Sequence, residues 1–299
     1  MQHTAVQTST VTKPAREVER VLSPQSEHWV GDGFRVRSVI TPNGEPRMQS
    51  PFLLLDHAPA RRFAPTKERR GVGEHPHRGF ETVTFAYRGE IEHRDSSSGG
   101  GIIAAGDVQW MTAASGIVHE ERHSQRFAEA GGELEMVQLW VNLPARSKLS
   151  QPGYQALLDR DFPRTPLGAA EARLIAGELN GRRGPAHTHT PITIFDLAFA
   201  EDGAAEFTLP KSFNSLAFTL EGEVRFAAQE RPVAPGQLAV LRRGDERVRV
   251  LGRGGTRLLV LSGEPIDEPV ASYGPFVMNT REELIQAVTD YQSGKMGHL

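Results

Sequence analysis

Apolar and polar residues alternate over short stretches of this chain. Phe34 to Ile40 reads FRVRSVI, and a period of two places alternate side chains on one face of a strand. Further runs rich in β-branched and aromatic residues follow: ETVTFAYRGEIEHRD (81–95), GIIAAGDVQWMTA (101–113) and LEMVQLWVNLP (134–144). Clusters of Gly, Pro, Asn and Ser separate them, which predicts antiparallel strands in a sandwich or barrel. SSSGGG (96–101) lies between two such runs and reads as a hairpin loop.

The pattern stops after VNLPARSKLSQPGYQ, where Pro144, Pro152 and Gly153 sit in a polar stretch, so a boundary is placed near 145–160. It then resumes in ITIFDLAFA, NSLAFTLEGEVRF, GQLAVLRRG and TRLLVLSG. The halves echo each other. Gly89-Glu90-Ile91 matches Gly222-Glu223-Val224, Gly106 matches Gly236, and His75-Pro76-His77 has a counterpart in His187-Thr188-His189. Two copies of one β-barrel are expected. The spacings differ, because Gly89 is 12 residues past His77 while Gly222 is 33 past His189. Three units follow: a loosely held segment 1–20, a first barrel 21–150 and a second barrel with a terminal helix 151–299. That helix is signalled by Thr280 as N-cap with Glu283 three residues on, a capping box. Leu284, Ile285, Val288 and Tyr291 form its apolar stripe, and Gly294 stops it.

Composition narrows the chemistry. The 299 residues are 38% hydrophobic and 24% charged, ordinary for two globular domains. A net charge of -3 gives no reason to expect nucleic-acid or anionic-membrane binding. There is no cysteine, which excludes disulfides, thiolate metal sites and a cysteine nucleophile. The start, MQHTAVQTSTVTKPAREVERVL, lacks the apolar core of a secretory signal, and no run is long enough to span a bilayer. A cytoplasmic protein is expected, as a monomer or weak dimer.

Five of the eleven histidines fall between 75 and 123: His75, His77, His93, His119 and His123. His75 and His77 share one face of a strand, and so do His119 and Glu121. Were those two strands neighbours, three imidazoles and a carboxylate would converge. Such a set suits Fe(II), Mn(II), Ni(II), Cu(II) or Zn(II) better than Mg or Ca, which prefer all-oxygen shells. Four protein ligands leave positions open on an octahedral ion, so the site would be catalytic or sensory. His93 and His123 lie off this pattern and read as structural or surface residues; His57 reads chiefly as structural, with a place at the barrel mouth as the minority reading. Arg61, Arg62, Lys67, Arg69 and Arg70 read as a solvated loop. Trp110 and Trp140 read as core, with Trp110 also placed to line a pocket wall.

HPHRGFETVTFAYRGEIEHRDS followed by GDVQWMTAASGIVHEE resembles the pirin family, a branch of the cupins. PFLLLDH, QLWVNLP and GPFVMNTREELIQAVTDYQSGKMG are pirin-like as well, so the resemblance runs from about Val36 to the C-terminus. It implies an all-β bicupin, two face-to-face antiparallel β-barrels of the jelly-roll type with a C-terminal helix. It also implies one metal, usually iron, in the N-terminal barrel on His75, His77, His119 and Glu121. Many cupins take their carboxylate from a first-motif position that is Thr82 here. The adjacent Glu81 reads as a core or loop-facing residue, so the pirin arrangement assigns the role to Glu121. The second barrel keeps His187 and His189, but Arg249 stands where His119 would, and no second metal site is expected.

The resemblance implies two functions. One is a quercetin 2,3-dioxygenase, opening a flavonol ring with O2 and releasing carbon monoxide, with Glu121 as the catalytic base and one divalent ion, Fe(II) first and Mn, Ni, Cu or Zn as alternatives. The other is a non-catalytic, redox-sensing iron protein acting through protein partners. A cupin enzyme for another small molecule is a third reading. An open pocket reaching the metal would favour an enzyme.

Overall fold

The structure, a computed structural model, describes residues 14–42, 44–227 and 231–299. Strands form where the period-two runs lie. β1 (Val18–Leu22), β2 (His28–Val30), β3 (Phe34–Ile40) and β4 (Phe52–Phe63) come first, then β5 (Gly71–His77), β6 (Phe80–Arg88), β7 (Ile91–Asp95) and β8 (Gly100–Ile103). β9 (Val108–Thr112), β10 (Ile117–His123), β11 (Gly132–Asn142) and β12 (Gly153–Leu157) complete the first barrel. Its large sheet runs β12-β9-β6-β11-β4-β3-β2, and its small sheet β5-β10-β7-β8. Apolar residues of both sheets, among them Val36, Ala86, Ile91, Ile103 and Met136, share one core. SSSGGG turns β7 into β8 as expected.

The second barrel repeats this order. Its large sheet runs β1, Leu238–Leu241, Asn214–Glu221, Arg257–Gly263, Ile192–Phe199, Ala170–Ala176 and Arg164–Leu167. The repeat extends to one turn. Gly106 donates to the Ala86 carbonyl at 2.7 Å, and Gly236 donates to Thr219 at 2.8 Å. Both glycines have left-handed φ values, +96° and +79°, where a Cβ is strained. By this topology β6 corresponds to Asn214–Glu221 and β5 to Gly203–Thr208, so the pairing of His75/His77 with His187/His189 does not hold. His187 and His189 precede the strand equivalent to β4. Where β5 and β10 carry histidines, Gly203–Thr208 and Arg247–Gly252 bury Ala205, Phe207, Val248 and Val250 in an apolar core.

The two large sheets pack face to face. Val83, Phe85, Val108, Trp110, Val137 and Leu139 of the first meet Ile194, Leu216, Phe218, Leu238 and Leu261 of the second. Trp110 is therefore inter-barrel core and not a pocket wall. β6 is buried on both faces: Val83 and Phe85 point to this interface while Thr84 points into the first barrel.

The chain ends cross over. β1 forms the edge of the second barrel's sheet, and buried Arg16 donates to Asp245 O at 2.6 Å and to Ser215 Oγ at 2.8 Å. Residues 16–20, expected to be loosely held, are thus fixed to the second barrel, and 1–13 lie outside the described residues. β12, from the stretch read as a boundary without strand pattern, edges the first barrel's sheet against β9. At the other end, Phe276, Met278, Leu284, Ala287 and Met296 pack on Val118 of the first barrel. The terminal helix, Arg281–Gln292, has the expected capping box on Thr280 and Glu283. Its buried face is Leu284, Ala287 and Asp290, whereas Ile285 is 58% and Tyr291 39% exposed. The expected stripe is displaced because Arg78 of the first barrel reaches Asp290 Oδ2 at 2.9 Å. No helix among the described residues is long and apolar enough to cross a membrane.

Candidate metal centre

β5 and β10 are antiparallel neighbours, with His75 directly opposite His119. His77 lies two residues along β5 on the same face. The ring centroids are 4.2 Å apart for His75 and His119, and 4.9 Å for His77 with either of the others. One nitrogen from each of the three rings lies within 4.8 Å of the others.

Hydrogen bonds select which nitrogens face inward. His75 Nδ1 is 2.7 Å from the Gly73 carbonyl and His77 Nδ1 is 3.3 Å from the Pro275 carbonyl, so each Nδ1 carries the proton and Nε2 keeps its lone pair. His119 Nδ1 faces His93 Nδ1 at 3.3 Å, and His93 Nε2 meets Asp95 Oδ2 at 3.1 Å. One tautomer set satisfies this row: Asp95 accepts from His93 Nε2–H, and His93 Nδ1 accepts from His119 Nδ1–H. His119 Nε2 is then a lone pair, buried and without a hydrogen-bond partner among the described residues. Such an orphan costs about 1–3 kcal/mol unless something binds it. Three convergent imidazole lone pairs fit a nitrogen-seeking divalent cation.

Electrostatics agree. Burial holds His77 and His119 well below the ordinary histidine value, with the neighbouring imidazoles adding to it. Both rings are therefore neutral and able to ligate. Burial alone would raise Asp95, but hydrogen bonds from His93, Ser97 and Gly99 bring it down to about 2, which keeps it an anion behind His93. Carboxylate–imidazole support of this kind orients metal ligands.

Glu121 sits differently. The β5–β10 register shifts between His119 and Glu121, and Glu121 lies opposite His93 on β7. It comes within 4.8 Å of His119 and His93, not of all three clustered histidines at once. Gln109 Nε2 donates to Glu121 Oε1 at 2.6 Å, and the Thr84 hydroxyl points at the same oxygen from 3.1 Å. Both bonds fall on Oε1, which leaves Oε2 for a ligand. Thr84 and Gln109 were invisible as site residues because polar positions on a strand carry no sign of what they face.

The terminal segment closes this site. Gly79 follows the His75–His77 motif at φ +88°, and a Cβ there would stand 1.9 Å from the Val277 carbonyl. Buried Lys148 clamps the approach, donating to Gly79 O at 2.7 Å and Val277 O at 3.0 Å. Gly274 and Pro275 thereby line the cavity beside the histidines.

That cavity holds ≈ 260 Å³ and is walled mainly by Val30, Phe34, Val36, Leu54, Met136 and Trp140, with His75, His77, Glu121, Asp56 and Gln138 supplying its polar groups. A larger, more open recess of ≈ 980 Å³ lies by His189 on the second barrel, away from the clustered histidines.

The other candidates fall elsewhere. His57 is not at the barrel mouth; it packs between the barrels on Phe218 with Nε2 3.8 Å from Glu135. Its neighbour Asp56 has the opposite parity and faces the cavity. His123 is structural, bonded to the Gly33 carbonyl at 3.0 Å amid Phe34, Phe63 and Phe127. His93 is structural in the sense that it supports His119. Glu81 is core, buried between the barrels. Of the basic run, Arg61 and Arg62 lie in β4, and Arg69 pairs with Glu92 at 2.6 Å.

A family model described as Pirin matches residues 33–141, and one described as Pirin C-terminal cupin domain matches residues 194–297. The chain is 50% identical over 282 residues to a Pseudomonas aeruginosa protein named "Putative quercetin 2,3-dioxygenase PA2418", covering 94% of this chain and 98% of that one. It is 35% identical over 278 residues to the Homo sapiens protein named Pirin, covering 91% of each. A solved quercetin 2,3-dioxygenase structure from Acinetobacter baumannii superposes with a TM-score of 0.91 at 43% identity, covering 95% of this chain and 99% of that one.

Proposed function

This chain belongs to the pirin family, and from that premise we propose that it is a metal-dependent oxidoreductase of the quercetin 2,3-dioxygenase type, opening the central ring of a flavonol with O2 and releasing carbon monoxide. The observation that carries the reading is the cavity: an apolar slot that reaches His75, His77 and Glu121. A protein that only registered oxidation state would need no such slot. Enzyme sites are commonly apolar clefts with a few convergent polar groups. The names of the Pseudomonas and Acinetobacter relatives point the same way.

In this proposal His75, His77 and His119 hold one divalent ion, Fe(II) before Mn, Ni, Cu or Zn, with Glu121 beside it as the fourth ligand. When bound, the ion supplies the Lewis acidity and electron exchange that couple an electron-rich flavonol to dioxygen. The chain does the rest. Val36, Leu54, Met136 and Trp140 take the flat rings and exclude water. Glu121 receives the proton of the flavonol 3-hydroxyl as a general base, at Oε2, which would first have to leave the ion. Gln109 and Thr84 keep Oε1 in place during that transfer. The Asp95–His93 pair keeps the His119 proton on Nδ1.

The test is anaerobic purification with elemental analysis, loading with each ion in turn, and an assay of quercetin decay with carbon monoxide detection. About one ion per chain with ion-dependent turnover is expected. One ion per chain with no turnover for any ion would favour the regulatory reading, and no bound ion under any loading would remove the site.

A further inference from the structure

The first barrel's large sheet carries an inward-facing polar row across an otherwise apolar wall. Ser38 lies opposite Asp56, Asp56 opposite Gln138, Gln138 opposite Thr84, and Thr84 opposite Gln109. One end of the row is fully engaged. Gln109 donates to Glu121, and the single Thr84 hydroxyl proton is shared between Glu121 Oε1 at 3.1 Å and Gln138 Oε1 at 2.7 Å. The other end is not. Asp56 is 8% exposed and lines the cavity, and its Oδ1 has no hydrogen-bond partner among the described residues. The bonds along the row stop at Gln138, and none joins it to Asp56.

A desolvated carboxylate oxygen without a donor is unfavourable, and buried acceptors are normally satisfied. The groups near Asp56 do not fill the vacancy. Ser38 sits opposite on β3 and pulls the carboxyl down only weakly against burial, and His28 acts on it only through its charge. The missing partner must enter through the cavity and must bring an O–H or N–H.

We propose that Asp56 is a specificity-determining residue that accepts a hydrogen bond from a ring hydroxyl of the substrate, inside the cavity that His75, His77 and Glu121 also line. The inference rests on the flavonol reading above and deepens it. It states that the substrate is a polyhydroxylated aromatic, not a bare one. A site built around a substrate hydroxyl discriminates strongly, because an analogue lacking it leaves the buried acceptor unpaired.

The experiment compares quercetin with 3-hydroxyflavone, which keeps the reacting hydroxyl and lacks all others. Both are titrated anaerobically, by fluorescence, into the metal-loaded wild type, Asp56→Asn and Asp56→Leu; kcat and KM then follow in air. Metal content and circular dichroism check each variant, and Asn, isosteric with Asp, serves if Leu disturbs folding. Wild type should bind quercetin about ten- to a hundredfold tighter than 3-hydroxyflavone, the range for a hydrogen bond to a charged group. Asp56→Leu should erase that preference by weakening quercetin alone, with the change in KM and not in kcat, and Asp56→Asn should fall between. Equal affinities in the wild type, or an unchanged preference in both variants, would overturn the role of Asp56 while leaving the flavonol reading intact. Binding of neither flavonol by the wild type would overturn that reading, and this inference with it.

Discussion

Replacing Glu81 by Gln should stabilise the protein at pH 8 and change it little at pH 5. Glu81 is 1% exposed, on the face of β6 that meets the second barrel. Burial pushes its carboxyl from 4.5 up to about 7, against a weaker opposing hydrogen bond from Thr112. His189 Nε2 lies 4.0 Å away, and an ion pair there would lower Glu81 and raise His189. His189 is instead lowered, by burial and then by Arg146, so burial outweighs the attraction and the contact is not an ion pair. The sign follows. A carboxyl raised in the folded state holds its proton more tightly there than in the unfolded chain. Its contribution is harmless below pH 4.5, and stability is lost as pH rises from 4.5 towards 7. A rise of that size is worth about 3 kcal/mol at pH 8 and under about 1 kcal/mol at pH 5. Gln keeps an acceptor for Thr112 Oγ, now 2.7 Å from Glu81 Oε1, and cannot ionise. Urea unfolding of wild type and Glu81→Gln at both pH values reads the difference, and other titrating groups cancel between the two proteins. The variant's gain should be about 2 kcal/mol larger at pH 8 than at pH 5. An equal gain at both would refute the forced neutrality of Glu81. A loss at pH 8 would mean that Glu81 and His189 are paired ions after all.

Other outcomes follow from the site and from the crossover of the chain ends. His119→Ala should lose the bound ion, read by elemental analysis after loading; retained stoichiometry would remove His119 from the ligand set. Asp95→Asn should weaken the ion about 10- to 100-fold in a competitive chelator titration, because His119 loses its orienting support; unchanged affinity would reduce the Asp95–His93 row to packing. Glu121→Gln should keep much of the ion and lose flavonol turnover, whereas full activity would exclude Glu121 as the base. Arg78→Ala should loosen the helix Arg281–Gln292, raising its amide exchange and costing up to about 3 kcal/mol, moderated because Lys295 and Gln286 still hold Asp290; unaltered exchange would show that apolar packing alone anchors it.

What the sequence determined by itself was local. A period of two fixes which side chains share a face, so His75 with His77, and His119 with Glu121, could be paired off within their own strands, and FRVRSVI is a strand from its first residue to its last. The capping box on Thr280 and Glu283 needs only neighbours three residues apart, and it formed as read. Resemblance to a known family then supplied the architecture that periodicity could not. Tertiary structure decided everything that depends on which strands meet. β10 lies between β5 and β7, and that placement brings His93 and Asp95 behind His119 although their spacing had set them aside. A one-residue difference in parity sent His57 to the inter-barrel core and Asp56 to the cavity. The edge strands β1 and β12 carry weak patterns, because an edge is held by backbone hydrogen bonds to one neighbour and needs few apolar side chains. The buried face of the last helix turned towards Asp290 because Arg78, in the turn between β5 and β6, waited there. Strand pairing and register are long-range properties, set by how whole sheets close and where a bulge shifts them, and no window of sequence contains them.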